Sequence, residues 1–236
     1  MNSLIAAIVR GKALSDAGVL GRWAGGGRAR APASDNAFPR TIAAINEFKV
    51  AHPEAKIEIA HLTVLEGMAH LQSGQIGRAK LMRDEVRTAA PLLHSGNDRF
   101  TRDEMLARAY DPLLVGWEQV SFARPSSSIN PSSASFKDAA SGIESTLRGL
   151  DSSRVAAPEL DAGAKYLATS AGVFRVWVGN LQPTEKAAER QKGAVLLERF
   201  LTPAEKQAAE TGQFSGLAPN QEAYTRWFRF LKTPVP

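Results

Sequence analysis

The chain has 236 residues, 44% of them hydrophobic and 22% charged, enough to bury a core in one large or two small domains. It contains no cysteine, which excludes a disulfide framework, a thiolate metal site and a cysteine nucleophile. Abundant alanine and an aromatic fraction of only 7% lean toward close-packed helices.

Residues 1–36 read as a basic N-terminal arm ending in a glycine-rich linker. Residues 1–40 hold six cations (Arg10, Lys12, Arg22, Arg28, Arg30 and Arg40) against Asp16 and Asp35, so +4 of the net +5 resides there. Such an arm suits an acidic protein surface, a nucleic acid or an anionic lipid. The apolar run Leu4 to Val9 is shorter than the ~7–15 residues of a secretion signal core, and no basic segment precedes it. No apolar stretch approaches the ~20 residues needed to span a bilayer. The expected location is therefore cytoplasmic, or periplasmic or organellar if a targeting segment has been removed. Gly25-Gly26-Gly27 is not followed by Lys-Ser/Thr, so it is not a phosphate-binding loop of the Walker type.

Residues 37–123 predict a helical region. A helix starts near Pro39, carries Ile42, Ile45 and Phe48 on one side, and stops before Pro53. A second covers about Glu54 to Ser73, with Ile57, Ile59, Leu62, Leu65, Met68 and Leu71 at mainly i, i+3 spacing and Gly74 as its C-terminal stop. A third, about Gln75 to Ala90, carries Ile76, Ala79, Leu81, Met82 and Val86 and is closed by Pro91. Thr101-Arg102-Asp103-Glu104 has the form of a capping box. The helix behind it places Met105, Ala109, Leu113, Trp117 and Val120 in one stripe, with a kink expected at Pro112.

Residues 124–135 are a Ser/Pro-rich linker by composition, and 136–236 form a C-terminal helical region. Helices are expected over about 136–150 and 160–178, then from Pro183 with Val195, Leu196 and Phe200, then behind the capping box Thr202-Pro203-Ala204-Glu205 and ending at Gly212. A last helix, about Asn220 to Leu231, puts Tyr224, Trp227, Phe228 and Leu231 on its apolar face. No stretch sustains the two-residue alternation of a strand. The expected class is all-α, helical hairpins packed as an irregular array or bundle.

Residues 41–91 resemble a tetratricopeptide repeat and its flanks. Ala43-Ala44-Ile45-Asn46-Glu47-Phe48 with His52-Pro53 is similar to the end of one repeat, and Glu66-Gly67, Gly74, Ala79 and Pro91 sit close to the family's small and turn positions. The resemblance implies a hairpin with a protein-binding groove and names no partner.

Candidate chemistry is sparse. Glu58-x-x-His61 has the spacing of a carboxylate-bridged di-iron helix, yet such a site needs two copies and two further glutamates, and one copy is present. His52, His61, His70 and His94 lie in no His-Glu-x-x-His, and no Gly-x-Ser-x-Gly occurs. Neither a metal nor a cofactor is expected. Arg226-Trp227-Phe228-Arg229-Phe230-Leu231-Lys232 interleaves cations with rings, a pattern that docks a terminal helix on a core or engages a partner. The leading expectation is a non-enzymatic helical interaction or assembly subunit, with Arg10, Arg22, Arg28, Arg30, Trp227 and Arg229 as partner-binding residues. A nucleic-acid or anionic-membrane-surface binder is the first alternative. A helical hydrolase or lyase using a single acid, Glu66 or Glu118, is the second.

Overall fold

The computed structural model describes residues 37–94, 102–123, 127–149 and 158–234. The arm residues Arg10, Arg22, Arg28 and Arg30, and the predicted cap at Thr101, lie outside them. The described residues form eleven α-helices and contain no strand. In chain order these are α1 (Ala37–Ala51), α2 (Lys56–Gln72), α3 (Ile76–Leu81), α4 (Arg83–Ala89), α5 (Arg102–Arg108), α6 (Tyr110–Phe122), α7 (Ser133–Arg148), α8 (Pro158–Leu181), α9 (Lys186–Glu198), α10 (Pro203–Thr211) and α11 (Pro219–Lys232). The fold is all-α, helix packed on helix.

Helix ends follow local chemistry. At the end of α2, Gly74 takes φ +76°. Its N–H donates to the Leu71 carbonyl and the Gln75 N–H to the His70 carbonyl, the paired bonds of a Schellman turn that satisfy two orphan carbonyls. The predicted third helix is two helices and a 3₁₀ turn, broken at Met82 and ending in Ala90–Leu93, where Pro91 sits. The predicted helix through Pro112 is also two, broken at Ala109. Pro112 cannot donate to the Arg108 carbonyl and its ring crowds that carbonyl, so the ladder fails there. Helix α7 starts inside the serine-rich stretch, at Ser133, because the Ser132 hydroxyl accepts the Ser135 N–H at 3.3 Å. The capping box at Thr202 and Glu205 forms as expected, and Gly212 ends α10 at φ +75°.

One continuous buried cluster runs through the described helices, from Ala60 and Val64 of α2 to Phe228 and Leu231 of α11. The stripe Met105, Ala109, Leu113 and Val120 is buried, with Trp117 half-buried beside it. At its centre Phe174 of α8 meets Trp117 edge-on at 5.5 Å and Phe136 at 6.0 Å, and Phe136 stacks on Trp177. Three residues expected inside face solvent: Ile57, Leu81 and Val195, at 58%, 78% and 52% exposure.

The α2–α3 hairpin is pinned by Tyr110 from α6. Its ring lies so close to Gly67 that a Cβ there would stand 2.8 Å from Tyr110 Cε2. Gly67 thus admits the ring of α6 rather than the backbone of its hairpin partner. The buried hydroxyl donates to the Ala79 carbonyl at 2.8 Å, and burial, chiefly, pushes its pKa well above the usual phenol value. Tyr110→Phe is expected to lower unfolding free energy by about 1–2 kcal/mol, the cost of one buried hydrogen bond, with the fold retained. Urea titration of both proteins checks this; equal midpoints would remove Tyr110 from its pinning role.

Asp111, next in sequence, ties α6 to α4 by accepting from Arg83 Nε at 2.7 Å and from Arg87 Nε at 2.8 Å. Burial alone pushes the Asp111 carboxyl up, but the hydrogen bonds and charges of Arg83 and Arg87 outweigh it and the pKa lies below the ordinary value. Glu189 behaves alike: burial pushes it up, while Lys192 and Arg175 pull it further down. A depressed folded-state pKa contributes stability that is complete above the unfolded pKa and lost as pH falls through the folded one. Thermal midpoints are therefore expected to hold near neutrality and to fall as pH drops below about 4. Asp111→Asn should flatten that fall. An unchanged acid slope in Asp111→Asn would count against the clip.

Candidate functional site

Helix α11 carries the only partner-binding candidates of the sequence that lie among the described residues, Trp227 and Arg229. Its seat explains how they are presented. Gly172 of α8 and Gly193 of α9 face each other; a Cβ on Gly193 would stand 3.1 Å from the Gly172 Cα. The two backbones approach closely, and α11 lies across them. A Cβ on Gly172 would stand 3.1 Å from Trp227 Nε1 and 3.3 Å from Leu231 Cδ1. Tyr224, Phe228 and Leu231 are buried, and Trp227 is half-buried against the core. Three of the four rings and chains predicted for the apolar face are thus fully inside.

The opposite face is cationic with an aromatic centre. Arg226, Arg229 and Phe230 stand at i, i+3 and i+4 and share one side of the helix. All three are exposed, Phe230 by 43%. Trp227 stacks on Phe230 with centroids 5.0 Å apart, and the Arg190 guanidinium from α9 lies 4.4 Å from the Phe230 ring centre. Arg226 is held twice: its Nε donates to Glu222 at 2.7 Å, and its guanidinium lies 4.1 Å from the centre of Phe214, in the loop before α11. Arg229 extends over Gly212, where a methyl group would collide with the guanidinium. Lys232 lies 5.3 Å from the Phe228 ring centre.

Charge on this face is uneven. Glu222 offsets Arg226. Among the described residues no carboxylate pairs with Arg229, Lys232 or Arg190. Arg190 is itself buried, at 7% exposure, and burial pulls its pKa below the ordinary guanidinium value. Its Nη2 donates to the Phe230 carbonyl in the last turn of α11, where the negative end of the helix dipole favours a cation. Arg190 thus fixes the end of the helix and frames its exposed ring at once. Arg190 and Phe214 were not readable as part of this surface. Arg190 lies 40 residues from Phe230, and no local pattern links them.

Most of the other candidates have partners within the fold. Glu66 is buried and receives Lys49 Nζ at 2.7 Å, and Glu118 pairs with Lys80. Glu58 is exposed, while His61 bonds Asp103 of α5 at 2.8 Å. His70 bonds Gln75 at 3.0 Å, reinforcing the Schellman turn. Among the described residues no three His, Asp or Glu side chains form a group that would hold a metal ion. No described helix is long and apolar enough to cross a membrane.

The chain matches no protein-family model, no curated protein and no solved structure.

Proposed function

We propose that the protein is a helical interaction or assembly subunit that binds another protein through the exposed side of α11, with the α2–α4 hairpin and the basic N-terminal arm as further contact regions. The tetratricopeptide-like reading of residues 41–91 belongs to this proposal. One observation carries it: a partly exposed Phe230 in contact with Trp227 and Arg190 and flanked by Arg226 and Arg229. Rings and arginines of this kind are the residue types enriched where protein interfaces concentrate their energy. The surface is also preorganised. The seat of α11 on Gly172 and Gly193 and the Arg190 contact hold the ring and the end of the helix before any partner arrives, which reduces the ordering cost of association.

The test is site-specific photocrosslinking in cells that make the protein. A photoreactive phenylalanine replaces Phe230 in the full chain, and a second version places it at Val195, an exposed site on α9. A discrete protein adduct from position 230, absent from position 195 and retained at high salt, is the expected result. Adducts only to nucleic acid or lipid, weakening with salt, would overturn the reading in favour of an electrostatic binder.

A further inference from the structure

The chemistry of the α11 face points to a definite kind of partner, an inference that rests on the proposed function. We infer that this face receives an acidic, amphipathic protein segment, carboxylates toward Arg226, Arg229 and Lys232 and an apolar side chain against Phe230. Arg229 and Lys232 have no carboxylate partner among the described residues, and Arg226 shares its charge with a single one, Glu222. A surface whose cations outnumber its carboxylates selects a negative partner and speeds its arrival.

The aromatic groups narrow the choice further. A strand of nucleic acid without sequence preference needs open ring faces on which bases stack. Here part of that ring surface is already taken from within. Trp227 and the Arg190 guanidinium lie against Phe230, and Arg226 lies against Phe214. Phe230 therefore offers an incompletely open face together with its edge, which carries the positive end of the ring quadrupole. Ring edge and guanidinium both favour carboxylate oxygens, and the hydrocarbon beside them favours an aliphatic side chain. Arg226 and Arg229 are one helical turn apart, so carboxylates at i and i+3 or i+4 of a partner helix match their spacing. Arginine adds a planar fork that takes a carboxylate in two parallel hydrogen bonds.

The experiment measures binding of the full-length chain to labelled 16-residue peptides by fluorescence anisotropy. One peptide is helical, with glutamates at i, i+3, i+4 and i+7 around leucines. A second replaces every glutamate by glutamine, and the third ligand is a 16-nucleotide oligothymidylate. Binding of the acidic peptide is expected, with no binding of the glutamine version. Arg226→Glu/Arg229→Glu should weaken it roughly tenfold or more, since two exposed attractions become repulsions. Phe230→Ala should weaken it by about three- to tenfold. Arg148→Glu, an exposed change on α7, should leave it unaltered. Circular dichroism melts establish that each variant is folded, and Arg226→Gln/Arg229→Gln supplies a milder pair if charge reversal disturbs α11. Equal affinity for the glutamine peptide, indifference to the arginine changes, or tighter binding of the oligonucleotide overturns the inference. If the photocrosslink at Phe230 still yields a discrete protein while the acidic peptide fails, the interaction function stands and only the acidic partner is lost.

Discussion

Glu205→Gln is expected to destabilise the protein by about 3–5 kcal/mol, because it strands a buried ammonium group. Glu205 is fully buried, and its two carboxylate oxygens each accept from Lys165 Nζ at 2.8 Å. One of them also accepts the Thr202 N–H at 2.7 Å and so closes the capping box of α10. The glutamine keeps the shape and loses the charge, leaving Lys165 of α8 inside without a counter-ion. For a chain of this size the loss corresponds to a thermal midpoint lower by roughly 10 °C. Lys165→Met/Glu205→Leu removes both charges together and should recover most of the deficit, short of the ~1 kcal/mol held by the cap. A double-mutant cycle by guanidinium titration measures both terms. If Glu205→Gln proves neutral, the pair is not the strut that joins α8 to α10.

Gly116→Ala is the second large effect. Gly116 lies mid-way along α6, where alanine would ordinarily favour the helix by about 1 kcal/mol. The added methyl has no room, however: it would overlap the ring of Phe174, which is fully buried and held by Trp117 and Phe136. Overpacking of this kind costs about 1–3 kcal/mol and sometimes more, so a net loss is expected despite the gain in propensity. Gly77→Ala in α3 is the matched control. A Cβ there meets nothing within 4 Å, so that change should be neutral or stabilise by up to ~1 kcal/mol. Opposite signs for the two substitutions in the same thermal assay check the assignment. Equal behaviour would mean that α6 and α8 are not in tight register.

The helices themselves were legible because apolar spacing, prolines and capping residues are local signals. Pro112 marked a disruption that the structure places at Ala109, and Thr202 with Glu205 marked a helix start. The break at Met82 has no proline or glycine to mark it. Which member of an apolar run turns inward was not legible either. Ala194, Leu196 and Leu197 are buried while Val195 between them is exposed, and Met82 turns in where Leu81 turns out. Consecutive apolar residues satisfy several helical phases equally, and packing from other helices selects one.

The buried charges were hidden for a different reason. Arg175 of α8 reaches Glu144 of α7 at 2.7 Å and Glu189 of α9 at 2.6 Å, and Lys165 reaches Glu205 across 40 residues. The capping box marks Glu205 as a helix-start residue but not as a buried partner of Lys165, and nothing in a local window distinguishes Glu144 and Glu189 from solvated carboxylates such as Glu58. The α11 surface was half legible for the same reason. Its own basic and aromatic residues are contiguous, whereas the arginine and phenylalanine that frame them come from elsewhere in the chain.

The succession α7, α8, α9 is held by contacts between chain neighbours, with Arg175 of α8 reaching back to α7 and on to α9. Short loops cost little entropy to close, so this trio can begin to assemble before distant parts of the polypeptide have met. Helix α11 is different: its tie to Arg190 closes a span of 40 residues and needs the α8–α9 groove already built. The surface proposed as the binding face is accordingly expected to form after that α8–α9 seat. In pulsed hydrogen exchange, amides of α8 should gain protection before those of α11, and the reverse order would refute that sequence of events. A nascent or damaged chain whose α8–α9 pair is not yet packed would therefore lack a seated α11, so the proposed partner engagement would report on the folding of that pair.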